Sequence, residues 1–162
     1  MDAAPLIDEE LAAFLQSGIA MHAASVGPGN VSHLARAAGC RIAPDRRTVV
    51  LYLAQQQASE VLEQIRANGA IAVVFTKPTS HRTVQLKATD ARVVAPRAED
   101  LADIDRQVGA FDAELSSIGF PKRFGWVLAG GSPSGLAAIA FTPTGAFLQT
   151  PGPSAGSALR CR

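Results

Sequence analysis

Along "TVQLKA" (83–88) polar and apolar residues alternate, with Thr83, Gln85 and Lys87 on one side and Val84, Leu86 and Ala88 on the other. That is the period of a strand that buries one face. The run continues from "PTSHR" into "TDARVV", and its phase slips between Ala88 and Ala91, which predicts one strand over 78–94 with a bulge where it bends. Further strands are predicted at 19–26, 31–42, 48–54, 70–78, 136–143 and 145–150. "GPGN" and "APDRR" supply the first turns. "TVVLYLA" is apolar on both sides and β-branched, which predicts a well-buried strand.

Three segments carry a helical period instead. Asp8 caps a short helix with Leu11, Phe14 and Leu15 on one face, ending at Gly18. From Ala58 the apolar positions become Val61, Leu62 and Ile65, and Asn68-Gly69 closes the segment. The longest helix covers 97–119, where Leu101, Ile104, Val108, Phe111, Leu115 and Ile118 recur at helical spacing behind an acidic first turn. Short strands with two interposed helices predict an α+β barrel rather than alternating βα units around a parallel sheet.

The chain's 162 residues suit a single domain over 1–162, with the N-terminal helix in 1–18 and a Pro/Gly tail over 150–162. A net charge of +1 from mixed basic and acidic residues gives no electrostatic case for nucleic acid or an anionic membrane. A partner is expected to be small. Cys40 and Cys161 make no metal spacing, and His22, His33 and His81 lack companion ligands, so no metal site is expected. In "MDAAPLIDEELAAF" acid rather than base precedes the apolar residues, and no apolar run approaches the roughly 18–20 residues that span a bilayer. A cytoplasmic location is expected.

The chemistry centres on the polar row. Thr83, Gln85, Lys87 and Thr89 beside Arg82 offer hydroxyls, an amide and cations at about 7 Å spacing. A half-solvated antiparallel strand shows the same pattern, so alternation alone leaves water and ligand both open as what the row faces. His81 is a turn residue or a proton donor, and Trp126 stacks on a ligand or packs in a core or interface. "QTPGPSAG" forms an anion nest with Arg160 nearby, or simply pins the tail. There is no nucleophile elbow and no phosphate loop.

"AVVFTKPTSHRTVQLKATDARV" resembles the central motif of the pyridoxamine 5'-phosphate oxidase-like FMN-binding split-barrel superfamily, in which a Pro-containing turn precedes Arg-Thr-x-Gln-(Leu/Val)-(Lys/Arg)-Gly. The resemblance extends over Phe14 to Gly156 and is strongest over 70–93. It implies a six-stranded antiparallel split β-barrel with flanking helices and a homodimer with flavin sites shared at its interface. By position it implies that Arg82 and Thr83 lie against the flavin or its phosphate, that Gln85 and Lys87 continue the row, and that Ser80 sits in the approaching turn. Two positions depart from the pattern. Where relatives carry a Ser/Thr-Arg-Lys phosphate cluster at a helix start, this chain has Ser59, Glu60 and Val61, and Ala88 stands where the motif has Gly.

Two functions follow. One is an FMN-dependent oxidoreductase acting on a small-molecule substrate, which needs no protein nucleophile because the cofactor carries the redox chemistry. The other is a dimer that binds flavin, deazaflavin, haem or another planar molecule without turnover, or that holds no cofactor.

Overall fold

The computed structural model describes residues 5–129 and 135–159. Helix α1 (Glu9–Leu15) is capped as expected, with the Leu11 N–H donating to Asp8 Oδ1 at 2.8 Å. Strands β1 (Ala20–Val26) and β2 (Ser32–Ile42) form a hairpin whose turn uses left-handed backbone at Gly29 and Asn30. Strand β3 (Val49–Ala54) leads to α2 (Ser59–Asn68), which closes on the left-handed Gly69. Then come β4 (Ile71–Thr76), β5 (Thr83–Ala88), β6 (Arg92–Val94), α3 (Asp100–Ser117), α4 (Phe124–Leu128), β7 (Leu136–Phe141) and β8 (Gly145–Leu148).

All pairings are antiparallel, in the order β6-β7-β3-β2-β1-β4-β5-β8. The sheet has eight strands, not six, and its edge strands β6 and β8 do not pair with each other. The difference lies partly at residues 89–91. The expected bulged strand is two strands, β5 pairing with β4 and β8 while β6 pairs with β7 at the other end. The Ala91 N–H bonds Gly69 O, and Asp90 Oδ1 accepts from the Thr142 N–H, so these residues turn out of the ladder. Loss of phase looks the same in a sequence whether a strand bulges or changes partner. In a flat sheet β5 and β6 would stand about 29 Å apart, yet three residues span at most about 14 Å between the strand ends. The sheet is therefore rolled, with a seam that the chain crosses after β5 and again after β7.

Rolling creates two cores. Inside, Met21, Leu51, Phe75, Leu86 and Phe141 pack with α1 (Leu11, Phe14, Leu15) and α2 (Val61, Leu62, Ile65). Outside, Ile104 and Val108 of α3 cover Val50 and Tyr52 of β3 and Ala138 and Ala140 of β7, with Trp126 of α4 at the edge. Strand β3 is thus buried on both faces, as its apolar run predicts.

Buried polar groups fix where α3 lies. The Gln107 amide bonds both the N–H and the C=O of Cys40, beside the register shift at Ala37/Gly39 in β2. At the helix start, Asp100 accepts from the Arg97 N–H at 2.8 Å and from the Arg97 and Arg41 guanidinium groups. Cys40 donates its thiol to Leu15 O, and burial pushes its pKa up to about 12. With Cys161, which lies outside the described residues, replaced by Ser, native protein at pH 8 is expected to leave Cys40 unlabelled by a thiol reagent until guanidinium unfolds it. Labelling at the rate of a free thiol would overturn the buried assignment. Among the described residues, no helix is long and apolar enough to cross a membrane.

Candidate functional site

The two helices α3 and α4 cover only part of the sheet's outer side. The outward positions of β1, β4, β5, β8 and the start of β2 have no helix layer over them among the described residues, α3 reaching β2 at Arg36 through Phe111. Register brings distant residues into line there. Arg36, His22, Val74, Gln85 and Phe147 stand opposite one another across five strands, and the next row reads Leu34, Ala24, Ala72, Lys87 and Gly145. Leu34 is 65% exposed. The middle of the second row is small, and a groove of about 360 Å³ lies there, floored by Ala24 and Ala72 and rimmed by Ser32, Lys87, Thr89 and Thr144.

Charge on this face is sparse. Lys87 places Nζ 5.3 Å from the Phe147 ring centroid and, among the described residues, pairs with no carboxylate. His22 is pulled below its ordinary pKa, first by burial and then by Arg36, which favours the neutral imidazole. Arg36 in turn lies over the Phe111 ring of α3 at 5.9 Å. The face thus offers an apolar floor, two cations, Lys87 and Arg36, that pair with no carboxylate among the described residues, and an imidazole held toward its neutral form. That set suits a planar molecule with carbonyl or anionic groups on one edge.

The residues singled out in the sequence divide into two groups. Gln85 and Lys87 point onto the open face. Ser80 and Arg82 belong to the β4–β5 turn about 17 Å from Lys87 along the strand. Arg82 bonds Glu10 at 3.1 Å and lies 4.4 Å from the Phe14 ring centroid of α1. Ser80 accepts from the Arg82 N–H, and His81 adopts left-handed backbone in the same exposed turn. The turn is also tied to α3, because Glu114 takes both Thr79 Oγ1 and Lys77 Nζ. Thr83 is buried, its hydroxyl donating to His81 O at 2.9 Å and pairing with the Thr76 hydroxyl at 3.1 Å, from which it accepts. Trp126 packs in the outer core.

The tail "QTPGPSAG" turns several of its N–H groups back onto its own chain. The N–H groups of Ala155, Gly156 and Ser157 bond Gly152, Leu148 and Ser154 carbonyls, and the chain then returns along the free edge of β8. Its role is to cover that edge. Arg160 lies outside the described residues. His22, Arg36, Ala24 and Ala72 were not legible as site residues, since only cross-strand register aligns them. The available signal was weak: His22 with Ala24, and Ala72 with Val74, share faces of their own strands at a spacing of two.

At α2 the start is not basic. Ala58 provides no side-chain cap, Ser59 Oγ donates to Glu60 Oε2 at 2.9 Å, and Val61 is buried. Beside it runs a second groove of about 580 Å³, lined by Gly27, His33, Glu60, Glu63 and Gln64 among others. Among the described residues, no group of three or more His, Cys, Asp or Glu side chains is arranged to hold a metal ion.

No protein-family model matches the chain, and no curated protein matches it in sequence. Solved structures do match it in fold. A crystal structure of HupZ from Group A Streptococcus is 14% identical, covers 93% of this chain and 99% of its own, and superposes with a TM-score of 0.55. An F420 reductase is 15% identical over 86% of this chain and 98% of its own, with a TM-score of 0.56. A putative pyridoxamine 5'-phosphate oxidase from Lactobacillus delbrueckii is 14% identical over 91% of this chain and 97% of its own, with a TM-score of 0.53. Identities this low speak for fold alone, and the fold of this chain is that of the pyridoxamine 5'-phosphate oxidase-like structures, as the motif over residues 70–93 leads one to expect.

Proposed function

We propose that this chain acts as a homodimer of split barrels whose open sheet faces enclose a flavin-type cofactor, and that it is an oxidoreductase of a small molecule. The observation that carries the reading is the half-covered outer face: small apolar residues at its centre, Leu34 exposed beside them, and a polar rim with Lys87 paired to no carboxylate among the described residues. An exposed apolar sheet face of this kind calls for a partner, and a second copy is the simplest one. The redox names of two fold neighbours, a reductase and an oxidase, support the same class of chemistry.

A bound flavin would supply hydride and electron transfer. This chain's own part would be to seat a flat ring on Ala24 and Ala72 and to place Lys87 and Gln85 against polar ring edges. FMN, the form implied by the sequence motif, fits this floor by its ring but not the start of α2 by its phosphate, because Glu60 stands there. That misfit favours a second reading, a dimer that binds a planar ligand without turnover.

The test is sedimentation and visible absorption of the purified protein, with riboflavin, FMN and a deazaflavin added in turn, followed by a reduced nicotinamide. Wild type is expected to sediment as a dimer and to retain a flavin-type chromophore that the nicotinamide bleaches. Ala72→Arg, which sets a long cation on the floor, is expected to abolish retention, and Lys87→Ala to weaken binding by about tenfold, the worth of one charge-assisted contact. Retention without bleaching selects the binder. A monomer, or a chromophore indifferent to both substitutions, removes the proposal.

A further inference from the structure

We infer that the ligand end lying beside α2 carries no phosphate monoester, and that the groove there receives a hydrogen-bond-donating end, hydroxyl-bearing or cationic. The inference rests on the proposed cofactor site and adds the chemical class of what fills it. Helix starts hold phosphates because their first N–H groups are free and their dipole favours negative charge. In α2 that position is already taken by the chain itself. Glu60 folds back onto the Ser59 hydroxyl and its own backbone N–H, and these contacts hold its carboxyl below the ordinary range. Val61 faces the core and offers nothing to a ligand.

The surrounding groove has the same polarity. Glu63 lines it with Glu60, and no Lys or Arg does. A dianionic phosphate there would meet two carboxylates and, among the described lining residues, neither Lys nor Arg, while the His33 ring is already tied to Gln64. A second, independent feature points to a donor. Gln64 is 9% exposed and lines the groove. Its Nε2 donates to Val31 O at 3.2 Å and to His33 Nδ1 at 2.7 Å, which uses both N–H bonds, while its Oε1 is buried with no partner. An unmatched buried acceptor is uncommon in folded proteins. The groove is thus lined by two carboxylates, of which Glu60 already holds donors from its own chain, and backed by a buried amide oxygen with no partner.

This groove adjoins the floor of the open face. Val26 lines one and Gly27 the other, Ser32 one and His33 the other, Ala70 one and Asn68 the other. A ring seated over Ala24 and Ala72 would have its nearer end at the β1–β2 hairpin and the β4 start, the segments that both grooves share. A ribityl chain ending in a hydroxyl meets the requirement, and the same chain ending in phosphate does not.

The deciding experiment titrates wild type and Glu60→Lys with riboflavin, with FMN and, separately, with inorganic phosphate. Flavin binding is read from fluorescence and phosphate binding from the backbone amide signals of Ser59, Glu60 and Val61. Wild type is expected to bind riboflavin at least as tightly as FMN and to show no phosphate-induced shift at those amides. Glu60→Lys, an exposed position whose exchange is expected to lower the thermal midpoint slightly through the helix dipole, is expected to move the riboflavin-to-FMN preference about tenfold toward FMN and to make the amides respond to phosphate. FMN binding tenfold tighter than riboflavin in wild type, or phosphate shifts at the wild-type amides, would overturn the inference. If neither flavin binds either protein, the cofactor reading fails, and the amide response to phosphate still decides whether the helix start is closed to anions.

Discussion

Asp100→Ala is expected to cost about 3–5 kcal/mol of unfolding free energy, the range for removing one partner of a buried ionic cluster. The carboxylate is 1% exposed and is shared by Arg41 of β2 and Arg97 before α3, while the Tyr52 hydroxyl of β3 accepts from Arg41 Nε. Its loss leaves the mostly buried Arg41 without its carboxylate and frees the Arg97 N–H at the point where α3 meets the sheet. The same cluster sets a pH dependence. Burial alone would raise the Asp100 carboxyl, but the Arg97 N–H, the Tyr52 hydroxyl and the Arg97 guanidinium outweigh it and hold the group below its ordinary value. A carboxylate depressed in the folded state stabilises fully above its unfolded pKa of about 3.9, and that stability drains away as pH falls below it. Urea titrations from pH 7 down to pH 3 are expected to show an acid-side loss in wild type that is smaller in Asp100→Asn. A wild-type-like midpoint for Asp100→Ala at pH 7 would refute the assignment.

Gly18→Ala is expected to cost about 3 kcal/mol, at the upper end of ordinary overpacking. A Cβ at this position would stand 2.4 Å from the Ala110 carbonyl carbon and 2.8 Å from the Phe111 nitrogen, so backbone rather than a flexible side chain must yield. The contact clamps the α1–β1 junction against the middle of α3. Gly29→Ala provides the comparison, since its Cβ would meet nothing within 4 Å and only its left-handed backbone (φ 69°) resists the change. A cost of about 1 kcal/mol is expected there. Equal thermal shifts for the two would mean that the Ala110–Phe111 backbone yields readily and that the close approach at Gly18 is no clamp.

How much of this was legible depended on the range of the interaction. Helices α2 and α3 and most strands follow from local period, and the two-sided burial of β3 follows from an uninterrupted apolar run. Partner changes do not. The three residues that carry the chain across the seam look like a bulge, because nothing local marks Gly69 and Thr142 as the groups that turn them outward. The same limit applied to the site. Alternation placed Gln85 and Lys87 outward, as they are, and placed Thr83 with them. Thr83 is instead covered, its N–H bonded by Thr150 of the returning tail 67 residues on. Arg82 read as a cation for a ligand, and α1, whose position over the barrel no local pattern encodes, engages it through Glu10 and Phe14. Glu60 was legible by composition, but its closure onto Ser59 was a matter of rotamer.

Strand β7 lies between β6 and β3, although it is made about 90 residues after β3 ends. During synthesis at roughly 5–20 residues per second, that is an interval of about 4–18 s in which β3 has one bare edge. The segment exposed is "VVLYLA", apolar toward both sides and rich in strand-forming residues, the composition that pairs with foreign edges. A nascent chain of this protein thus carries its most aggregation-prone strand unprotected until nearly the whole polypeptide has emerged, and holdase chaperones should meet it there rather than at the grooves of the finished fold.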